Sequence, residues 1–173
     1  GSYSGYAVPP GKYKAQLKYK KEIVETNITV LPNPNIKVSD LDWQEQQMLL
    51  ENISATISNI HTTVNNLRGI KKQLQYYSET LGKVETARVI TSAADSLIKK
   101  IDAWESAIIE SRTQNGQDVI NWPSKLNVDF FYLKGLIDIS DPRVTQGVKN
   151  KLADLQLQWK NEKEKVQGIN TAI

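Results

Sequence analysis

The chain has no cysteine, one histidine and one methionine in 173 residues. The missing cysteine removes disulfides, thiolate zinc sites and cysteine nucleophiles together. The lone histidine, His61, cannot make a two-histidine metal site, and no spacing supplies the partners of a Ser-His-Asp triad around it. It reads as a surface or boundary residue of a helix. Long apolar runs are absent too: none approaches the roughly 18 residues that a membrane-spanning helix needs. The start, Gly1-Ser2-Tyr3-Ser4-Gly5, lacks the basic and apolar regions of a secretory signal, and Gly1-Ser2 reads as a cloning remnant. Asn115-Gly116-Gln117-Asp118 lacks the lysine and the glycine spacing of a phosphate loop.

Charge of one sign is also scarce. Lys and Arg number 22 against 19 Asp and Glu, intermixed, for a net charge of +3. The densest basic cluster is Lys12, Lys14, Lys18, Lys20 and Lys21. These fall in a strand pair, where lysines keep edge strands from pairing with other chains. That reading is preferred to nucleic-acid or anionic-surface binding. Hydrophobic content of 39% with 24% charged residues points to one folded domain, or one domain plus a fragment of another.

What is present is periodicity. After the turn cluster Val8-Pro9-Pro10-Gly11, Tyr13, Ala15, Leu17 and Tyr19 alternate with Lys12, Lys14, Gln16 and Lys18. Past a turn at Lys20-Lys21-Glu22, Val24, Thr26, Ile28 and Val30 alternate with Ile23, Glu25, Asn27 and Thr29. Period two with one apolar face predicts a β-hairpin. Leu31-Pro32-Asn33-Pro34-Asn35 ends it as a linker. Two strands alone are marginal in water, so this hairpin is expected to lie on the rest of the chain, pair with another, or belong to a larger sheet.

The period then changes to three-four. Ser39 and Asp42 make a capping box ahead of a helix expected over Asp40–Leu81, with Gly82 as its stop. Leu50, Ile53, Ile57, Ile60, Val64, Leu67, Leu74 and Leu81 form its seam, Trp43 lies in register one turn earlier, and Lys71 and Ser78 interrupt it. A second helix, Val84–Arg112, carries Ala87, Ile90, Ala94, Leu97, Ile101, Trp104 and Ile108. The short connection between them predicts antiparallel neighbours. A polar loop follows, anchored by Val119, Ile120 and Trp122. Leu126, Phe130, Leu133 and Ile137 mark a third helix, and Asp141 is read as the N-cap of a fourth. Its seam is Val144, Val148, Leu152, Leu155, Trp159, Val166 and Ile169, with Glu162 as a polar exception. The expected fold is mainly α: an antiparallel four-helix bundle over residues 36–173, behind an N-terminal hairpin and linker over residues 1–35.

No residue constellation points to catalysis, a metal or a cofactor, and the carboxylates lie mostly opposite the seams. The aromatic residues are the remaining functional candidates. Trp43, Trp104 and Trp159 fall at seam positions and read as core. Tyr13 and Tyr19 on the hairpin, and Tyr76, Phe131 and Tyr132 away from the seams, are the candidate partner or sugar surface.

Two stretches together resemble a known family. Pro9-Pro10-Gly11-Lys12-Tyr13-Lys14-Ala15-Gln16-Leu17, closed by Ile28-Thr29-Val30-Leu31-Pro32-Asn33-Pro34, is similar to the final hairpin of an immunoglobulin-like domain. Ile70-Lys71-Lys72-Gln73-Leu74 and Gly116-Gln117-Asp118-Val119-Ile120-Asn121-Trp122-Pro123-Ser124-Lys125-Leu126-Asn127 resemble the helical tail that follows it. This order resembles the C-terminal region of exported bacterial proteins with sortilin-like or BNR-repeat β-propellers, grouped as glycosyl hydrolase-like. Hydrolysis in such proteins would belong to the propeller, and no Asp-box repeat of the Ser-x-Asp-x-Gly-x-x-Trp type occurs here. The resemblance therefore implies a setting: a non-enzymatic accessory module of an exported envelope protein. Its partners would be the upstream propeller and Ig-like regions, with other proteins or glycans beyond them. A carbohydrate-binding accessory module is the alternative. Neither nucleic-acid binding nor membrane insertion is expected, and the chain is expected to be a monomer or weak dimer.

Overall fold

A computed structural model describes residues 5–112 and 118–172. Strands β1 (Gly11–Tyr19) and β2 (Glu22–Val30) form the antiparallel hairpin. Helices α1 (Asp40–Leu81), α2 (Arg88–Ile108), α3 (Leu126–Ile137) and α4 (Gln146–Thr171) form the bundle. The chain is thus mainly helical, as its periodicity predicts.

Helix α1 begins where its capping box stands. The Ser39 side chain accepts from the Asp42 backbone N–H at 3.3 Å, and Asp42 Oδ2 accepts from the Ser39 N–H at 2.8 Å. Hydrogen bonds from the Ser39 hydroxyl and backbone hold the Asp42 carboxyl below its usual pKa. At the other end Gly82 stops the helix with φ of −61°, an ordinary right-handed value. The glycine serves close approach here, since a Cβ at this position would lie 2.9 Å from the Ser78 carbonyl oxygen. A one-turn 3-10 helix, Glu85–Ala87, leads into α2, so the regular helix starts later and ends earlier than the expected Val84–Arg112.

Cross-links between helices give the packing order. Lys71 pairs with Asp102, Arg68 with Glu105 at 2.5 Å, and Ser78 donates to Asp95 at 2.9 Å, so α2 runs antiparallel along the C-terminal half of α1. His61 meets Asn127 at 2.8 Å, and Gln46 reaches the Ile137 carbonyl at 2.7 Å, so α3 runs antiparallel along the N-terminal half. Lys149 meets Glu45 at 2.5 Å and Gln156 meets Asn52 at 2.5 Å, so α4 runs parallel to α1. Helices α2 and α3 therefore succeed one another along α1, and α4 closes the third side against both.

The core follows the expected seams. Leu50, Ile53, Ile57, Ile60, Val64 and Leu67 of α1 are buried against Ile101, Trp104 and Ile108 of α2, Leu126, Phe130, Leu133 and Ile137 of α3, and Leu152, Leu155, Trp159, Val166 and Ile169 of α4. Trp104 and Trp159 lie 6.5 Å apart between ring centroids, and Trp104 Nε1 donates to the Glu162 carbonyl at 3.1 Å. Leu74 and Leu81, near the α1 C-terminus, are only half-buried.

Three local expectations need correction. Ile90 keeps the heptad register but is 59% exposed, because α4 ends before its level. Asp141 caps no helix: it accepts from the Arg143 N–H at 3.1 Å and binds the Arg143 guanidinium, which lowers its pKa to about 2. The cap of α4 is Thr145, whose hydroxyl accepts from Val148 N–H at 3.4 Å. Ile120 does not anchor its loop and is 86% exposed; the Val119 side chain and residues 113–117 lie outside the described residues. Trp122 does act as an anchor, in a different way. The Arg112 guanidinium lies 3.7 Å from its ring centroid and forks onto Glu110 at 2.7 Å from each oxygen. Those hydrogen bonds hold the Glu110 carboxyl down to about 2.

Candidate interaction surfaces

The hairpin register pairs Tyr13 with Ile28, Ala15 with Thr26, Leu17 with Val24 and Tyr19 with Glu22. Directly opposed residues share a face, so Tyr13, Ala15, Leu17, Tyr19, Val24, Thr26, Ile28 and Val30 form one mostly apolar surface, with Glu22 beside Tyr19 at its turn end. Lys12, Lys14, Lys18, Gln16 and Glu25 stand on the other. There Lys14 pairs with Glu25 at 2.8 Å and Gln16 donates to it at 2.7 Å, and both bonds lower the Glu25 pKa. Tyr19 and Glu22 are joined by a two-residue turn, and Lys20 at its first position has φ of +55°.

The apolar face is not covered. Leu17 is 69% exposed, Tyr19 65% and Val24 64%. Neither strand packs along a helix, so the hairpin does not lie on the side of the bundle. Of the three arrangements expected of it, packing along the bundle is thereby set aside: strap and linker tie down its root and hold its blade away from the helices.

That root is built from both flanks. Residues Gly5–Ala7 cross from α3 to α1 as a strap. Lys134 Nζ donates to the Gly5 carbonyl at 2.9 Å, Ala7 N–H donates to Asp138 Oδ1 at 2.9 Å, and Gln47 Nε2 donates to the Ala7 carbonyl at 3.0 Å. Tyr6 packs against the core between them. On the other flank Pro32, Pro34, Ile36 and Val38 lead to α1 and, with Pro9, Pro10 and Trp43, line a cleft of about 870 Å³. Tyr13 adds a brace, its hydroxyl donating to the Pro9 carbonyl at 2.6 Å. The strap is invisible to period analysis, because three residues carry no period. Its one sequence signal is the isolated aromatic Tyr6 ahead of the prolines.

The five aromatic candidates lie on separate parts of the molecule. Tyr13 and Tyr19 share the hairpin face, Tyr13 at its braced root and Tyr19 at its exposed end, with Lys20 Nζ 5.2 Å from the Tyr19 ring. Tyr76 sits near the far end of α1, 64% exposed, edge-on to Tyr77 at 5.7 Å. Phe131 and Tyr132 point apart. Phe131 faces α1, 6.0 Å from His61, while Tyr132 lines a groove of about 350 Å³ with Leu133, Leu136 and Val148. The hairpin face is the surface on which apolar candidates gather.

The Lys-Leu-Asn end of the loop motif has a structural task. Leu126 is buried and Asn127 binds His61, so the motif seats the start of α3 on α1. Two buried polar residues went unmarked or unexplained in the sequence. Gln46, 2% exposed, donates to the Ile137 carbonyl and, at 2.9 Å, to the Ile139 carbonyl, closing the end of α3. Glu162, 8% exposed, holds Lys165 through Oε1 at 2.7 Å while its Oε2 is buried with no hydrogen-bond partner among the described residues. Among the described residues no group of three or more His, Asp or Glu side chains could hold a metal ion, and no helix is long and apolar enough to cross a membrane. Comparison with protein-family models, with curated proteins and with solved structures finds no match to this chain.

Proposed function

We propose that the chain is a non-catalytic structural or interaction module that uses its hairpin to dock β-structure, as the C-terminal part of a larger exported polypeptide. The observation that carries this is the uncovered apolar face of a hairpin whose root is held by strap, linker and Tyr13. Fully covering a Leu, Val or Tyr side chain is worth roughly 1.5–3 kcal/mol each. Leaving three of them in water at the end of a braced arm favours any partner that supplies the cover. The partner best suited is a β-sheet layer, because both strands also have open edges with unpaired backbone groups. An Ig-like domain of which this hairpin is the last strand pair supplies that layer and matches the family resemblance of the hairpin. In this reading the bundle positions an upstream β-propeller or mediates its assembly. The export setting and the propeller rest on that resemblance.

Labelling tests the reading directly, since the chain has no cysteine of its own. Leu17→Cys is expected to react with a thiol reagent at the rate of a free peptide in this chain. In the polypeptide of the gene's full reading frame, the same site should react at least tenfold more slowly. Equal rates in the two would contradict a covered hairpin.

A further inference from the structure

The two edges of the hairpin differ. Tyr19 and Glu22 flank a two-residue turn and are therefore a hydrogen-bonded pair. Pair types alternate along an antiparallel ladder. The backbone groups of Lys12, Lys14, Gln16 and Lys18 thus point outward from β1, and those of Ile23, Glu25, Asn27 and Thr29 outward from β2. The β1 edge is guarded. Lys14 is neutralised by Glu25, but Lys12 and Lys18 make no ion pair among the described residues, and a strand arriving there would strip water from both.

The β2 edge has no such guard. It carries no lysine, and its one outward charge, Glu25, is drawn back over the hairpin by Lys14 at 2.8 Å and Gln16 at 2.7 Å. Six of the nine residues of β2 are β-branched, against none in β1, and all from Glu22 to Thr29 are exposed. An unguarded edge of this kind is a template for a further strand.

The sequence of β2 also fits itself. Laid antiparallel to a second β2 about a twofold axis at Thr26, Glu25 meets Asn27, Val24 meets Ile28, Ile23 meets Thr29, and Thr26 meets its own copy. Outward residues fall opposite outward residues, so the backbone groups of the two edges can bond, and no like charges are opposed. The Asn27 amide can donate to the Glu25 carboxylate, and the remaining pairs are β-branched, a combination that stabilises neighbouring strands.

We infer that β2 is a self-association edge, along which two copies join β2 to β2 into a four-stranded sheet with β1 outermost on each side. The lysines of β1 stop further growth, so the assembly closes as a dimer. Pairing through this edge leaves the apolar face open across all four strands. The edge is therefore separate from the face that docks β-structure in the reading above, and pairing doubles the width of that face.

The chain has no cysteine, so a single one reports the register. Thr26 and its copy form a non-hydrogen-bonded pair across the axis, with Cα atoms about 4.5 Å apart, within disulfide range. Thr26→Cys is expected to give a disulfide-linked dimer under mild oxidation at least tenfold faster than Lys18→Cys on β1. Sedimentation equilibrium of the parent chain, from micromolar to millimolar concentration, should show a monomer–dimer equilibrium. Asn27→Glu should weaken it at least tenfold, because it opposes two carboxylates across the axis. Asn27 faces Lys14 within its own hairpin, so the added carboxylate leaves the hairpin intact. A chain that stays monomeric throughout overturns the inference. So does a Thr26→Cys chain that cross-links no faster than Lys18→Cys. A dimer that survives Asn27→Glu but is lost with Leu17→Glu also overturns it, since the contact would then lie on the apolar face.

Discussion

The hairpin and the middle of the bundle are written in the same kind of code, and their fates differ. In each, an apolar face recurs at the period of its secondary structure. In the bundle, α2, α3 and α4 arrive in turn to cover the seam of α1, and Ile53, Ile60 and Ile101 reach 0% exposure. In the hairpin an equally regular face stays open, with Leu17 and Val24 more than 60% exposed. A period states that a face is suited to burial. It does not state whether the covering element lies within the chain.

The sharpest way to break this comparison is to place a charge on each face in turn. Ile57→Asp or Leu97→Asp buries an unpaired carboxylate in the core and is expected to cost several kcal/mol, enough to abolish cooperative thermal unfolding near room temperature. Val24→Asp on the hairpin is expected to stay within about 0.5 kcal/mol of the parent, because the site is already in water. Equal damage from the two would mean that the hairpin is part of the core after all.

Gln46 marks the next level. Gln46→Leu keeps the volume and removes the donor that serves the Ile137 and Ile139 carbonyls. Chemical denaturation should show a loss of about 1–3 kcal/mol, the cost of leaving such groups buried and unpaired. Gln46→Glu should be at least as damaging at neutral pH, since a carboxylate has no hydrogen to donate to a carbonyl.

A smaller effect belongs to the loop clasp. Glu110 is held down to about 2 by Arg112, against an ordinary value of 4.5. A carboxyl depressed on folding contributes its stabilisation fully above 4.5 and loses it as pH falls from there through about 2. Thermal unfolding followed across that window should therefore fall less steeply in Glu110→Gln than in the parent, while the two curves run parallel above pH 6. The smallest expected change is at the hairpin turn. Lys20 holds a left-handed φ that glycine adopts freely, so Lys20→Gly should raise hairpin stability by at most about 1 kcal/mol, read from amide exchange in β1 and β2.

Much of the fold was legible because it is long and regular. The α1 limits Asp40 and Leu81 follow from a capping box and a glycine, and the four seam residues of α3 are all buried as their spacing predicts. What the sequence hid was set by tertiary neighbours. Asp141 precedes a proline and looks like a cap, but Arg143 two residues on claims its carboxylate. Ile120 is apolar but stands 86% exposed. Of the aromatic candidates, Tyr19 is exposed on the hairpin and Tyr13 is half-buried at its root, while nothing local tells that Phe131 turns towards His61 and Tyr132 towards α4. The strap at Gly5–Ala7 depends on groups some 40 to 130 residues away and has no local signature.

Native-state amide exchange, read residue by residue in the chain alone, tests the central claim most directly. If the hairpin is a braced but uncovered arm, the amides of Leu17, Val24 and Thr26 exchange through local opening, and Ile57→Val leaves their rates unchanged while accelerating those of Ile53, Ile60 and Ile101. If the hairpin amides instead share the protection of the α1 seam and speed up together with it, the hairpin and the bundle are one cooperative unit and the account is wrong.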